Sequence, residues 1–150
     1  MAISIPYAKD DRCVGGPTSP LAPLGLNGRS RQRYIEEFFI GLFEGEGTLT
    51  VDWQGNRLSR QPRIRAIIAL LYLDSNVEML NIIKDVVGGR VVREKKGVKE
   101  YIVWMCSSER DIEYIFTVFE RYPFITYRKR IQFLFAKKYY RVPYTDYHLF

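Results

Sequence analysis

Apolar residues recur at helical spacing in the first patterned segment of the chain. Six large side chains follow one another at intervals of one or three residues, which is the pattern of a helix that buries one side. They are Tyr34, Ile35, Phe38, Phe39, Leu42 and Phe43. Ser30 is a suitable N-terminal cap, and Gly45 and Gly47 are residues that end helices. The pattern therefore predicts a first helix over about residues 31–45.

The pattern changes to a period of two after this helix. Residues 48–53 and 62–72 read as strands, with the letters QGN as a turn after the first of them. Within the second strand, Arg63 and Arg65 fall on one face and apolar residues on the other. One face of the predicted sheet therefore carries positive charge.

The second half of the chain repeats the order of a helix followed by two strands. The first predicted element here is a helix that Asp74 or Ser75 caps and that Gly88 and Gly89 end. Two strands follow, 90–93 and 98–105, with EKKG as the turn between them. Two further helices come next: one is capped by Ser107 or Ser108 and ends before Pro123, and the other covers about residues 124–140. This αββαββα(α) order predicts an α+β fold with a four-stranded antiparallel sheet, helices on one face and a basic saddle on the other. We expect the domain to span residues 30–141, between a flexible Pro/Gly-rich extension (1–29) and a C-terminal tail (142–150).

Composition and charge exclude several function classes. The 150 residues, 47% of them hydrophobic, are enough for one folded core. One histidine, His148, and two cysteines, Cys13 and Cys106, are too few for a histidine-based catalytic site or a disulfide framework. No apolar run is long enough to span a bilayer and the N-terminus is unlike a secretory signal, so we expect an intracellular protein. The formal charge of +6 favours a polyanionic partner, with a solvated basic face as the alternative.

The end of the first helix, FIGLFEGEG at residues 39–47, departs from ordinary helix chemistry. Gly41 and Gly45 each cost a helix on the order of 1 kcal/mol relative to alanine, and their spacing allows a second helix to approach closely. Glu44 and Glu46 lie where the helix dipole already presents negative charge, so a nearby cation would stabilise them. Mg²⁺ suits carboxylate and carbonyl oxygens. The simpler alternative is that the glycines only end a core helix and both glutamates are solvated.

This segment, followed by TLTVDW, resembles the signature of the LAGLIDADG homing endonucleases, and the element order is similar to that of the family over about residues 33–140. The resemblance implies a site-specific endonuclease that cuts both strands of DNA with Mg²⁺ (or Mn²⁺) as cofactor. It implies that Glu46, with Gly45, binds the metal and that Glu44 is structural. It also implies that Arg128 or Lys129 lies near the scissile phosphate, and these two remain unseparated.

The resemblance further implies two partners. Because the chain carries one copy of the motif, a cut through both strands requires a homodimer in which the first helices cross. The contact residues expected there are Phe38, Gly41, Leu42 and Gly45. The joined sheets would lie in the major groove of double-stranded DNA, which is wide enough for a two-stranded ribbon. The side chains expected to read bases or to contact phosphates are Thr50, Asp52, Gln54, Arg57, Gln61, Arg63, Arg65, Arg90, Arg93, Lys95 and Lys96.

Three alternatives stay open. A restriction-type nuclease site would use Asp85 with Glu94 and Lys96, although EKKG is better interpreted as a charged turn. A second alternative is an RNA-splicing maturase, or a non-cleaving relic that binds DNA or RNA, with intron RNA as partner. A third is a detached half of a two-motif protein. Relatives of the implied kind are commonly encoded in introns, so we expect an organelle (mitochondrion or chloroplast) or a microbial cytoplasm as the location.

Overall fold

The computed structural model describes residues 28–54 and 61–140, and it describes their side chains except at positions 53, 54 and 61. The chain divides into two units, Met1–Ile35 and Glu36–Phe150. In the first unit the described residues are the opening turns of a helix. Most of the predicted N-terminal extension, the QGN turn beyond Gln54, Arg57 and the predicted tail therefore lie outside the described residues. Within the described ranges, no helix is long and apolar enough to cross a membrane.

The order of the eight elements matches the prediction. The elements are α1 (Gly28–Glu46), β1 (Gly47–Gln54), β2 (Gln61–Leu71), α2 (Asp74–Val87), β3 (Arg90–Lys96), β4 (Lys99–Cys106), α3 (Glu109–Arg121) and α4 (Tyr127–Tyr139). The strands form one antiparallel sheet in the order β1-β2-β4-β3. The predicted α+β class and sheet are confirmed.

The two faces of the sheet differ as the period-two pattern predicts. Ile64, Ala66 and Ile68 of β2 are buried on the face that the helices cover. Arg63 and Arg65 alternate with them and are only partly buried, so they lie on the open face. Residues that are paired across neighbouring strands point to the same side of the sheet, so the pairing register assigns the residues of β1, β3 and β4 to the same two faces.

An aromatic cluster fixes α1 on the covered face. Phe39 and Phe43 are fully buried, and the Phe39 ring lies edge-on to Trp104 of β4 with 5.2 Å between ring centroids. The Phe43 ring lies 5.2 Å from Phe119 of α3 and 5.9 Å from Phe124. Burial of such rings is the main favourable term in fixing a helix to its sheet. The C-terminal half of α1 is therefore firmly placed.

The second hairpin corrects the prediction that EKKG forms its turn. Strand β3 continues through Glu94, Lys95 and Lys96, and the turn consists of Gly97 and Val98. Gly97 has a φ of 63°, which glycine adopts without steric cost. The run of charged residues therefore belongs to an edge strand, where charged side chains are common because they oppose aggregation.

The predicted helix starts were wrong in three places. Helix α1 begins at Gly28, so Ser30 lies inside it. Helix α2 has Leu73 at its N-cap position with no side-chain cap, and Asp74 contributes its charge to the first turn instead. Helix α4 begins at Tyr127 after Thr126, whereas Phe124 is buried in the aromatic cluster rather than helical. For α3, Ser108 is the cap, one of the two predicted residues.

Candidate active site and nucleic-acid interface

A buried carboxylate anchors α1 to α3. Glu36 is 1% exposed, and its Oε1 accepts a hydrogen bond from the Tyr114 hydroxyl at 2.5 Å. Its Oε2 accepts one from Arg121 at 2.6 Å. The charge of Glu36 is the main reason that the pKa of Arg121 is raised above its ordinary value. Buried charges require such partners, so this contact fixes which side of α1 faces the core.

The opposite side of α1 is exposed. Phe38 is 41% exposed and Leu42 is half-buried, although both are apolar. A Cβ atom built on Gly41 or Gly45 would meet no atom of the described residues within 4 Å. The four predicted interface residues therefore share one accessible surface. Packing among the residues that the structure describes therefore requires a glycine at neither position.

Glu46 is the last residue of α1 and is exposed. Among residues 28–54 and 61–140, its carboxylate has no hydrogen-bond or ion-pair partner. The same residues contain no group of three His, Cys, Asp or Glu side chains that could hold a metal. A hard divalent ion fits an unpaired carboxylate beside backbone carbonyl oxygens such as that of Gly45. Further ligands would have to come from DNA phosphate, from water or from a second chain.

Lys129 is buried next to this helix end. It is 7% exposed, and its Nζ donates hydrogen bonds to the carbonyl oxygen of Gly47 and to Gln132 Oε1, the latter at 3.3 Å. The Nζ also lies 5.5 Å from the centroid of the Phe43 ring. Burial lowers the pKa of Lys129, and the charge of Arg128 lowers it further, whereas Glu44 opposes both.

Arg128, the other predicted residue at this position, is exposed. Neighbouring residues on a helix point about 100° apart, because the helix has 3.6 residues per turn. The structure therefore brings Lys129, and not Arg128, onto the junction that follows Glu46. The chemical role of either side chain stays a prediction.

Gly47 makes this junction possible. A Cβ atom there would overlap the Phe43 ring and lie 2.6 Å from the Phe43 carbonyl oxygen. Because real Cβ atoms do not come so close to backbone atoms, any larger residue would displace the start of β1. Of the glycines in FIGLFEGEG, Gly47 is the one at which contacts among residues 28–54 and 61–140 leave no room for a side chain.

Glu44 has a structural contact, as the sequence predicts. Its Oε2 accepts a hydrogen bond from the Ile125 amide at 2.8 Å, and its Oε1 accepts one from the Thr126 amide at 3.1 Å and one from the Thr126 hydroxyl. Burial raises the pKa of Glu44, but these hydrogen bonds and the charge of Lys129 outweigh it, so that the pKa lies below its ordinary value. Glu44 is therefore a charged carboxylate that joins the end of α1 to the start of α4.

The open face of β1 and β2 brings several predicted DNA contacts together. The register pairs Thr50 with Arg65 and Asp52 with Arg63, so these four side chains share one surface. Arg65 Nη2 lies 3.5 Å from Asp52 Oδ2, and Arg63 donates a hydrogen bond to Ser107 at 3.1 Å. The backbones of Gln54 and Gln61 pair at the end of the same strands. Arg57 lies outside the described residues.

The four basic residues of β3 do not share one face. Arg90 and Lys96 pair with Met105 and Lys99, which places them on the open face. Arg93 and Lys95 have the opposite parity, so they lie on the side that the helices cover. Arg93 is bound to Glu100 at 2.5 Å and lies 4.3 Å from the centre of the Tyr72 ring. The predicted set of phosphate contacts is therefore divided between two surfaces.

The alternative nuclease triplet is not assembled. Glu94 pairs with Tyr101 on the open face of the sheet. Asp85 lies on α2, and the covered face carries that helix, because the Trp104 indole donates a hydrogen bond to the carbonyl of Gly88 at the end of α2 at 2.8 Å. The sheet thus separates Asp85 from Glu94 and Lys96. The restriction-type arrangement, which the sequence supports only as a disfavoured alternative, is therefore not formed by these residues.

Comparison with known proteins identifies the family. Residues 39–140, which include FIGLFEGEG and all of the elements after it, match the family model for LAGLIDADG endonucleases. The chain belongs to the LAGLIDADG endonuclease family. The resemblance inferred from the sequence is thereby confirmed; the matched range begins six residues after the expected residue 33 and ends at the expected residue 140.

Curated relatives support the same family. A probable intron-encoded endonuclease aI3 of Debaryomyces hansenii is 34% identical over 109 residues, which cover 72% of this chain and 15% of that protein. A protein of the same name from Dictyostelium discoideum is 29% identical over 107 residues, or 71% of this chain and 44% of that protein. This LAGLIDADG chain therefore spans less than half of the length of these relatives.

Solved structures share the fold. The homing endonuclease I-TnaI has a TM-score of 0.58 at 18% identity, with 69% of each chain covered. The LAGLIDADG homing endonuclease I-GzeII, in complex with its DNA target, has a TM-score of 0.56 at 27% identity, with 69% of this chain and 34% of that chain covered. Both comparisons support the four-stranded LAGLIDADG architecture.

Some residues around the site were missed by sequence reasoning. Gln132 lies three residues after Lys129 on α4, a spacing that predicts a neighbour of Lys129 once the start of α4 is known. Thr126 directly before a helical segment is an ordinary N-cap signal, and it marks the correct start. Glu36 gave a weaker signal: it is an acidic residue beside the apolar stripe of α1.

Proposed function

We propose that this LAGLIDADG chain is a site-specific endonuclease of the intron-homing type that hydrolyses both strands of its DNA target with Mg²⁺ (or Mn²⁺), and that it acts as a homodimer. Two observations together carry the proposal. The exposed Glu46 carboxylate has no partner among the described residues, and the buried Lys129 amine donates a hydrogen bond to the carbonyl of Gly47, the next residue along the chain. The names of the relatives, which include intron-encoded and homing endonucleases, support the same activity.

Phosphodiester hydrolysis places distinct demands on these side chains. A bound divalent ion supplies charge stabilisation and an activated water. Glu46 provides a hard anionic ligand at the helix end, where no side chain of the described residues competes for it. Lys129, whose pKa is lowered by burial, can hold or release a proton at Nζ beside the Gly47 carbonyl. Arg128, exposed on the neighbouring face of α4, is placed to contact a phosphate oxygen.

The open face of β1 and β2 provides the surface for DNA. Arg63 and Arg65 suit guanine edges and Asp52 can accept a hydrogen bond from cytosine. Thr50 is paired with Arg65 in the register and lies on the same face. Arg90 and Lys96 extend the positive surface along the same face. When these side chains bind base edges, the salt bridge between Arg65 and Asp52 must break, or both residues must contact the bases while they remain paired. The pair therefore takes part in the choice of DNA sequence.

A homodimer follows from the accessible surface of α1. Because Gly41 has free space around it, Gly41→Leu is expected to leave the free energy of unfolding of the monomer unchanged or to raise it by up to about 1 kcal/mol, since glycine disfavours helices. The same change would place a bulky side chain where a second helix must approach. We expect it to convert a dimer into a monomer in light scattering coupled to size exclusion, while Asn81→Leu on exposed α2 leaves the mass unchanged.

Cleavage of DNA that carries the uninterrupted insertion site tests the activity. We expect magnesium-dependent double-strand cuts by the wild type, loss of at least about 100-fold in rate for Glu46→Gln, and wild-type rates for Glu94→Gln and for the exposed control Glu78→Gln. Cleavage that survives Glu46→Gln would overturn the assignment. Splicing of the intron RNA without any DNA cleavage would instead indicate a maturase.

An organellar or microbial location is part of the proposal, and its support is the intron-encoded origin that the relatives' names state.

A further inference from the structure

The carboxylate of Glu44 joins two parts of the candidate site that are 81 residues apart in the chain. Its two oxygens accept three hydrogen bonds, all from Ile125 and Thr126 at the start of α4. The first amide groups of a helix have no partner within the helix, so a carboxylate there satisfies them and favours the helix dipole. Glu44 is thus a capping group supplied by another helix.

The Thr126 hydroxyl continues this contact towards Lys129. It donates a hydrogen bond to Glu44 and accepts one from the Lys129 amide at 3.4 Å, which is the N-cap contact of α4. The Lys129 side chain extends to the end of α1, where its Nζ donates a hydrogen bond to the Gly47 carbonyl. The contacts form a closed loop from Glu44 through Thr126 and Lys129 to Gly47.

This loop encloses the residues that the proposed function needs. Gly45 and Glu46 are the two residues between Glu44 and Gly47. Glu44 is hydrogen-bonded to Thr126, and Gly47 is hydrogen-bonded to Lys129, so the residues on both sides of this pair are fixed to the beginning of α4. The hydrogen bonds therefore couple Glu44 to Lys129.

We propose that Glu44 is a positioning residue that acts through Thr126 to fix the place of Lys129 relative to Glu46. The inference rests on the proposed nuclease function, which assigns Lys129 and Glu46 their chemistry. A displacement of about 1 Å between reacting groups can cost about 100-fold in rate, because catalysis depends on their alignment. Glu44 itself touches neither substrate nor metal in this proposal.

The test compares Glu44→Gln with Glu120→Gln, a matched control whose carboxylate also contacts a residue of α4, namely Lys137. In the protein free of metal and DNA, we expect hydrogen exchange of the Ile125, Thr126 and Lys129 amides to quicken about tenfold in Glu44→Gln and to stay within about twofold in the control. On target DNA, we expect kcat to fall about 10- to 100-fold with KM within about threefold.

A second pair of variants separates positioning from a general loss of stability. Thr126→Val removes the hydroxyl that connects Glu44 with Lys129, and Thr126→Ser restores it. We expect the valine variant to reproduce the kcat loss of Glu44→Gln and the serine variant to recover at least half of the wild-type kcat. If Glu44→Gln does not fold, the two Thr126 variants test whether the contact between Glu44 and Lys129 positions Lys129.

Several outcomes would overturn the proposal. They are unchanged exchange of the Lys129 amide in Glu44→Gln, faster exchange without a loss of kcat, and a serine variant as slow as the valine variant. If the wild type cuts no DNA, the nuclease proposal fails separately, and the exchange rate of the Lys129 amide alone decides whether Glu44 positions that residue.

Discussion

The hydrogen bond between Tyr114 and Glu36 should contribute strongly to stability. The Tyr114→Phe change removes one hydroxyl and leaves a carboxylate that is 1% exposed without that donor, which lies 2.5 Å away. A hydrogen bond to a charged group is worth about 1.5–3 kcal/mol, so we expect a loss of about 2 kcal/mol in the free energy of unfolding. With a urea m-value of about 2 kcal/mol per molar, the midpoint should fall by about 1 M.

Urea unfolding followed by circular dichroism measures this loss. Tyr127→Phe is the matched control, because the Tyr127 side chain is 72% exposed and its change should stay within about 0.5 kcal/mol. A double-mutant cycle with Glu36→Gln should return a coupling energy of about 1–2 kcal/mol between the two positions. Equal midpoints for Tyr114→Phe and Tyr127→Phe would refute the argument that the buried carboxylate anchors α1.

Three further measurements follow from single residues. Gly47→Ala should lower the free energy of unfolding by about 1–3 kcal/mol in urea because its Cβ would overlap Phe43, whereas Gly45→Ala should be neutral or stabilising by up to about 1 kcal/mol. Burial raises the pKa of Cys106 to about 12, so alkylation of this thiol at pH 8, followed by peptide mapping, should be on the order of a thousandfold slower in the folded chain than in urea. The stability advantage of the wild type over Glu44→Gln should be full above the unfolded pKa of Glu44, 4.5, and be lost as the pH falls through the lower folded value, which unfolding in a series of acidic buffers measures.

Periodicity predicted the order of elements and the faces of the sheet. The alternation of Arg63 and Arg65 with Ile64 is a local property of the sequence, and burial of one face fixes its outcome, since a shift of one residue would bury the arginines. The helical spacing of Phe39 and Phe43 likewise determines which side of α1 is buried. These features survive in the structure because the hydrophobic effect acts on them directly.

The β3–β4 turn was missed because composition and backbone conformation favour different positions. The charged letters EKKG resemble a solvated turn, yet an edge strand accommodates charged residues equally well. What selects Gly97 and Val98 is the pairing of Lys96 with Lys99 and the positive φ of Gly97, both of which depend on the partner strand. Arg90 and Arg93 are three residues apart, so they lie on opposite faces of any continuous strand, but which of them faces the helices follows from the register of β3.

The sequence alone does not determine which of the two adjacent basic residues, Arg128 or Lys129, turns towards the end of α1. Counting from Pro123 places the basic residue to within one position, but one position on a helix is a rotation of about 100°. Whether the amine or the guanidinium turns inward depends on the start of α4, and the residue before that start, Thr126, is hydrogen-bonded to Glu44, 82 positions earlier in the chain. A lysine also suits the buried site better, because its amine can lose its charge when desolvated whereas a guanidinium keeps it. The identity of the inward residue and the distant cap are therefore two consequences of one packing arrangement.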